Sequence, residues 1–217
     1  MNYRFRVSIY YQFEYYSSGS YYSNEIPIGT SNPLYYAHLL YLNGQEVTDL
    51  VIPESVNSVN NYAFFGDSGL TSVTFSDSVT TIGDYAFFGC SGLTNVVLGD
   101  AITTLGGHAF EGCTGLNGTL TIPNSVTTIG DGAFRDCTSL THVNLGNSVT
   151  SIGSGAFYDC KGIEEITIPN SVTQIGMGAF YECDYLTKVN ISSMQSFVSG
   201  VLRSHTTPST LQTQADL

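Results

Sequence analysis

The stretch IPNSVTTIGDGAFRDC, residues 122–137, decides the fold, because it returns twice further along the chain. It comes back as LGNSVTSIGSGAFYDC at 145–160 and as IPNSVTQIGMGAFYEC at 168–183. The five cysteines keep the same period, at intervals of 23, 24, 23 and 23 residues: Cys90, Cys113, Cys137, Cys160 and Cys183. A repeat of nearly constant length in this range predicts a solenoid, in which each repeat forms one coil.

Working outward from this stretch, the period divides the chain into six units and a partial seventh that starts at Leu186. The units span 47–69, 70–92, 93–115, 116–139, 140–162 and 163–185. One unit buries five or six apolar side chains, worth about 10 kcal/mol gross, whereas ordering its residues costs about 1.5 kcal/mol each. An isolated unit therefore does not fold, and the units must stack on one another.

Each unit predicts the same local structure. L-T-x-V-x-I alternates apolar and polar residues and predicts a short strand, parallel to its neighbours in a stack. S-V-T-x-I predicts a second extended piece, and the glycine after it a turn. The x-x-A-F-x-x-C stretch has room for one helical turn with Ala, Phe and Cys directed inward. Unit 4 has one extra residue, in LNGTLTI, where Gly118 indicates a β-bulge.

A phenylalanine in every unit keeps the period and is expected to form one continuous buried column. Its members are Phe64, Phe87, Phe110, Phe134, Phe157 and Phe180. The cysteines are interpreted as small core side chains beside this column, because free cysteine is often buried. No close pair such as Cys-x-x-Cys occurs, so a metal site is not predicted, and an odd number leaves at least one thiol unpaired.

The units resemble the leucine-rich repeats of the BspA type. The resemblance rests on I-P-x-S-V-T-x-I-G-x-x-A-F-x-x-C followed by L-T-x-V, and it covers about residues 40–191. It implies an α/β leucine-rich-repeat right-handed solenoid, mostly short parallel strands with short helical turns, of about six 23-residue coils plus a partial seventh. It also implies a cell-surface or secreted protein with a role in adhesion or protein binding. Among the departures, Asp67 stands in unit 1 where the other units have cysteine.

Three regions are predicted along the chain. They are a Tyr-rich N-terminal cap, 1–46, the leucine-rich-repeat solenoid, 47–191, and a C-terminal partial cap with a polar tail, 192–217. Asn43-Gly44 predicts a hairpin that shields unit 1, and the polar tail is predicted to be disordered. An exposed parallel edge at the C-terminal end would allow oligomers to form through the solenoid ends.

Aromatic residues are concentrated towards the N-terminus, where ten of the 15 tyrosines lie within residues 1–41. Units 1 and 2 add Tyr62, Phe65, Tyr85 and Phe88 around their Ala-Phe pairs. We expect the Tyr-rich start to fold over this patch, because large exposed apolar surfaces are rare on monomers. An exposed aromatic surface for a carbohydrate or another partner is the alternative.

Charge excludes several classes of partner. The formal net charge of −12 comes from six basic and 18 acidic residues, so the chain repels the phosphates of nucleic acids. No apolar run is long enough to span a bilayer, and no basic amphipathic segment suits an anionic surface, so no membrane insertion is predicted. No signal peptide is visible in this chain, because Gln12 and Glu14 interrupt the apolar stretch after Arg4 and Arg6.

No catalytic or cofactor site is predicted. The four histidines, His38, His108, His142 and His205, have no nucleophile at a motif spacing, so the chain is not expected to be an enzyme. A line of acidic and amide residues follows the strands: Asp77, Asp100, Asn124, Asn147 and Asn170. Side-chain-to-backbone turns explain this line, and a row of calcium ligands is the alternative.

The strand residues that alternate with the apolar ones should all point to solvent on one face. This partner-binding set comprises Ser72, Thr74, Asn95, Val97, Thr119, Thr121, His142, Asn144, Glu165, Thr167, Lys188 and Asn190. The face contains no large aromatic anchor, so weak or multivalent contact is expected. A solvated face without a ligand is the alternative. The function predicted is a non-catalytic protein–protein interaction or adhesion module; the alternatives are a carbohydrate-binding surface module using the aromatic N-terminal region and a structural spacer.

Overall fold

The computed structural model describes residues 10–12, 23–25, 40–42, 45–191 and 210–213. An antiparallel sheet of order β2-β1-β3-β4 precedes the repeats. Its strands are β1 (Tyr10–Gln12), β2 (Ser23–Glu25), β3 (Leu40–Leu42) and β4 (Gln45–Glu46). β3 and β4 pair antiparallel with Leu42 opposite Gln45; the predicted turn residues Asn43-Gly44 lie outside the described residues.

Each of the six units then contributes one strand from L-T-x-V-x-I and one from S-V-T-x-I. In chain order these strands are β5 (Asp49–Ile52), β6 (Ser58–Val59), β7 (Ser72–Phe75), β8 (Thr81–Ile82), β9 (Asn95–Val97), β10 (Thr104–Leu105), β11 (Gly118–Thr121), β12 (Thr128–Ile129), β13 (Leu140–Asn144), β14 (Ser151–Ile152), β15 (Glu165–Ile168) and β16 (Gln174–Ile175). Two strands follow the six units: β17 (Lys188–Ile191), in the partial seventh unit, and β18 (Thr210–Thr213). From β5 onward every pairing is parallel. The predicted solenoid is confirmed.

The even-numbered strands β6 to β16 form one continuous six-stranded sheet, called here the back sheet. A ladder of threonines holds it together, since each hydroxyl donates to a main-chain carbonyl one unit earlier, at 3.0–3.2 Å. The donors are Thr80, Thr103, Thr127, Thr150 and Thr173. The main-chain N–H of each donates to the same carbonyl at 2.9 Å. The threonine of S-V-T-x-I is therefore a link between coils.

The odd-numbered strands β5 to β17, called here the front strands, lie in two sheets. One has the order β5-β7-β9, and the other has the order β11-β13-β15-β17 with β18 at its edge. The division falls at unit 4, the unit with the extra residue. The register between β11 and β13 shifts between Gly118 and Thr119, and Gly118 has a φ of 70°, which confirms the predicted bulge.

The segments that follow the back-sheet strands, called here the turn segments, contain no helix, so the predicted helical turn is wrong. In unit 2 the N–H of Ala86 donates within the segment, to the Gly83 carbonyl, at 3.4 Å. The next N–H, of Phe87, donates to the Ala109 carbonyl of the following unit, at 2.7 Å. An α-helix needs all its interior amides for bonds along its own chain. Here alternate amides join neighbouring units, and Tyr85 has a φ of 56°, which interrupts helical geometry.

The phenylalanine column is the centre of the core. Its rings are stacked with centroids 4.8–5.4 Å apart through all six units, and each is at most 2% exposed. This confirms the predicted column and shows that the stack is continuous across the insertion in unit 4.

All five cysteines are free and buried beside the column, as predicted. Each thiol donates to the phenylalanine carbonyl of the preceding unit, at 3.1–3.3 Å. Burial raises the pKa of every one of these thiols, that of Cys183 to about 12. In unit 1 the buried Asp67 takes this position and accepts the N–H groups of Gly69 and Leu70 on Oδ1.

The C-terminal tail contains a strand, so the prediction of a disordered tail is wrong for residues 210–213. β18 pairs in parallel with β17, and Thr210 lies opposite Lys188, 22 residues earlier. T-L-Q-T alternates polar and apolar residues at nearly one repeat period from β17, so it fits the edge that β17 presents. The predicted folding of the Tyr-rich start over the aromatic patch lies outside the described residues.

Candidate functional site

All twelve predicted partner-binding residues lie at exposed or half-buried positions of the front strands. They alternate with buried positions, as β15 shows, where Glu165 and Thr167 are exposed while Ile166 and Ile168 are buried. The division of the front sheets separates the four positions on β7 and β9 from the eight on β11 to β17. The structure therefore presents one face in two parts.

Several of these side chains contact one another across units. The Asn190 carboxamide donates to Thr167 Oγ1 at 3.2 Å, and Lys188 Nζ lies 3.3 Å from Glu165 Oε2. Both contacts join β15 to β17, which are also paired at four register positions. Between these two strands the outward side chains therefore form a closed polar surface.

The pair β13 and β15 is different, because its pairing is confined to Val143 opposite Ile166. The other front strands that pair with one another do so at three or four positions, and a threonine helps to hold each of these pairs. In most units the threonine of L-T-x-V donates its hydroxyl to a carbonyl one unit earlier, as Thr94 does to Thr71 at 3.0 Å and Thr141 does to Gly118 at 2.9 Å. In unit 6 this position is Glu164, which lacks the threonine hydroxyl that makes this bond.

A second link between the units is missing at the same place. At two other unit boundaries a side chain after the front strand accepts an N–H of the next unit: Asp77 Oδ1 accepts from Asp100, and Asn124 Oδ1 accepts from Asn147, both at 2.8 Å. These bonds support the structural interpretation of that line of residues, and the described part of the chain has no group of three His, Cys, Asp or Glu side chains suited to a metal. Among the described residues, Asn147 Oδ1 receives no corresponding N–H from Asn170.

Where these links lapse, a cleft of about 510 Å³ opens between units 5 and 6. Its floor includes the apolar side chains of Val143, Leu145 and Pro169, and Ser171 also lines the cleft with a buried hydroxyl that has no hydrogen-bond partner among the described residues. Leu145 is only half-buried, although its counterparts on the other front strands are at most 9% exposed. Its partial exposure marks the opening between the strands.

The rim of the cleft is polar. It includes four of the predicted partner-binding residues, His142, Asn144, Glu165 and Thr167, together with Asn147 and Asn170. His142 Nδ1 lies 2.9 Å from the Thr141 hydroxyl, and its ring is exposed. Sequence reasoning identified the rim from alternation but missed the cleft, whose signal is the glutamate in IEEITI where the unit pattern has threonine.

The turn segments form a second surface, which differs between the two halves of the solenoid. In units 1–3 Tyr62, Tyr85 and His108 stack with centroids 5.1 and 4.8 Å apart. Both faces of the Tyr85 ring are therefore covered, so this ring offers no free face to a sugar. In unit 4 the same position is Gly132, and a Cβ there would lie 2.4 Å from the His108 imidazole.

In units 4–6 the turn segments carry charge. Arg135 lies 4.4 Å from the Tyr158 ring centroid, and Tyr158 stacks on Tyr181 at 5.4 Å. The residues at positive φ are also exchanged: the first half has Tyr or His followed by Gly, and the second half has Gly followed by Asp or Glu. Each turn segment thus has one glycine and one larger residue in the left-handed region.

Comparison with known proteins agrees with the described fold. The model of the BspA type leucine rich repeat region matches six copies, over residues 40–119 and 117–214. A leucine-rich repeat protein of T. pallidum is 34% identical, with a TM-score of 0.63, over 67% of this chain and 72% of that one. No curated protein matches the sequence.

Two further solved structures are similar. A leucine rich cell surface protein of Faecalibacterium prausnitzii is 26% identical, with a TM-score of 0.50, over 77% of this chain and 55% of that one. The pneumococcal vaccine antigen PcpA is 17% identical, with a TM-score of 0.53 over 72% of this chain and 42% of that one, and shares the fold alone.

Within the described ranges, the chain contains no helix of the length and apolarity that crossing a membrane requires. The repeat motif, the stacked coils and the matched model over most of the chain agree with one another. The chain belongs to the BspA-type leucine-rich repeat family, whose members are generally protein-interaction or surface modules.

Proposed function

We propose that this chain is a non-catalytic module that binds a protein partner through its front strands, in an adhesion role at a cell surface or after secretion. The observation that carries the proposal is the cleft between units 5 and 6, because it opens on the front strands among outward residues that vary from unit to unit. Variable outward positions on a fixed core are the usual arrangement by which a solenoid presents a binding surface.

Family membership supports this function, since leucine-rich repeat modules generally act by interaction and the related F. prausnitzii structure is described as a cell surface protein. The acidic balance of the chain favours a partner with a basic surface. The predicted binding set remains the twelve outward residues, and it lacks an aromatic anchor, so the expected affinity is modest unless several copies act together.

The test is binding to an array of purified, identified extracellular proteins. The unchanged protein is compared with a variant that carries His142→Ala, Asn144→Ala, Glu165→Ala and Thr167→Ala. A matched control carries four exposed changes away from the front strands: Glu54→Ala, Ser91→Ala, Thr114→Ala and Gln174→Ala. We expect partners that bind the unchanged protein and the control and lose at least about tenfold in affinity for the front-strand variant.

Equal binding by all three proteins would contradict the proposal. Binding to a parallel glycan array, with no selective protein partner, would favour the carbohydrate-binding alternative instead. Circular dichroism of each variant confirms that the fold is retained.

A further inference from the structure

The geometry points to the cleft between units 5 and 6 as a pocket for one apolar side chain carried by an extended peptide segment of the partner. The inference rests on the proposed function and adds the chemistry of the group that is bound. The front strands lack an anchor of their own, and tight interfaces are often organised by a side chain of one protein that fills a pocket of the other. Here the partner supplies the anchor.

The floor explains the preference for an apolar group. Leu145 packs against the core but is partly exposed in the cleft, and Val143 and Pro169 line the cleft beside it. Apolar surface left open to water is unfavourable, and covering it with an apolar group favours binding. An aliphatic or aromatic side chain covers this floor, whereas a polar or charged one leaves it unmatched and loses its own hydration.

The rim explains why the group belongs to a peptide. The carboxamides of Asn144, Asn147 and Asn170 each offer donors and an acceptor, which match the alternating N–H and C=O groups of an extended main chain. At about 510 Å³ the cleft is as large as typical small-ligand pockets. It has room for a side chain and part of the main chain on either side.

A sugar fits the same cleft less well. The residues that line it include no phenylalanine, tyrosine or tryptophan on which a sugar ring could stack. The aromatic rings of the turn segments, such as Tyr85, are stacked on one another instead. A sugar would therefore bind through the rim alone and leave the apolar floor uncovered.

Because the native thiols are buried, the cleft can be blocked by labelling a single introduced cysteine. All five cysteines are buried and lack the exposure that reaction with maleimides requires, so a single introduced surface cysteine is labelled selectively. Thr167→Cys places the label at the rim, and Gln174→Cys, exposed on the back sheet, is the matched control. Each protein is compared with itself before and after reaction with N-benzylmaleimide, so the fold is the same in both measurements.

Random peptides displayed on phage are selected on the unmodified protein, and the recovered peptides are measured in solution. We expect them to share an apolar residue, whose replacement by serine lowers affinity about tenfold. Labelling Thr167→Cys should lower affinity by a similar factor, and labelling Gln174→Cys should leave it within about twofold. Peptides with no shared apolar residue, or unchanged binding to labelled Thr167→Cys, would overturn the inference.

A second measurement needs no variant. In an NMR titration of the isotope-labelled, otherwise unmodified chain, N-acetyl-leucine N-methylamide should shift the amide signals of residues 143–147 and 165–171. N-acetylglycine N-methylamide should not shift them. Equal shifts with both compounds, or shifts in this region with methyl glucoside alone, would overturn the inference. If blocking the cleft has no effect on an array partner that the fourfold alanine variant loses, the inference fails while the proposed function stands.

Discussion

The back sheet and the front strands are built from the same repeat, yet only one of them is regular. The back sheet runs unbroken through six units, whereas the front strands divide before β11 and nearly separate between β13 and β15. Both use threonine hydroxyls to link units, but the front ladder is interrupted by Asn117 and Glu164. The regular sheet provides the scaffold, and the irregular one has room for a site.

The largest expected effect on stability comes from truncating one ring of the phenylalanine column, which is the centre of the core. Phe134→Ala should lower the free energy of unfolding by about 4 kcal/mol, because it leaves a cavity in a column with no exposed member. Tyr158→Ala is the control. It removes a half-buried ring that stacks on Tyr181 outside the phenylalanine column, and it should lower the free energy of unfolding by about 1 kcal/mol. Urea denaturation of both variants measures the difference, and equal losses would mean that the column is not the core.

One glycine next to a back-sheet strand and one in a front strand test their difference next. Gly130→Ala, directly after β12, should cost about 3 kcal/mol, because its Cβ would lie 2.7 Å from the main chain that follows β10 in the preceding unit. Gly118→Ala meets no atom within 4 Å and should cost only about 1 kcal/mol, from its positive φ. Thermal melting compares the two; a larger loss at Gly118 would show that the front strands, not the back sheet, limit stability.

Much of this contrast could be predicted from the sequence. Alternation in the front strands identified the outward residues, and the extra residue at Gly118 predicted the bulge. The turn segments were mispredicted because local room for a helical turn says nothing of amides such as that of Phe87, which bond to a unit still to come. The cleft was missed for a related reason: the importance of Glu164 is apparent only once stacking shows what threonine does at that position.

Removing one hydroxyl of the back ladder should have a smaller effect. Thr127→Val deletes a bond to the Thr103 carbonyl at 3.2 Å, for a loss of about 1 kcal/mol. Thr121→Val, an exposed change on a front strand, should lose less than about 0.5 kcal/mol. Both are measured by urea denaturation. Equal stability of the two variants would argue against a role for the ladder.

The smallest effect is expected from repairing the front ladder. Glu164→Thr introduces a hydroxyl that can donate to the main-chain carbonyl of Thr141, and it should raise the free energy of unfolding by about 0.5 kcal/mol. It should also slow hydrogen exchange at the amides of β15 and lower affinity for peptides selected on the cleft. Glu165→Thr changes the charge equally but restores no link, so it should not slow exchange. Faster exchange in Glu164→Thr than in the unchanged chain would show that the glutamate does not cause the gap.

The contact between His108 and Gly132 has a consequence for how such chains change length. If unit 5 were duplicated, Gly155 of one copy would lie next to Gly155 of the other. A Cβ added at Gly155 would meet only the Cβ of Tyr158, at 3.6 Å, so this position is not crowded. A copy of unit 5 whose glycine had become a larger residue could follow unit 3 only if the His108 ring moved, because the imidazole already fills that space. At the junction between the halves, an inserted unit whose turn begins with glycine therefore leaves this ring in place.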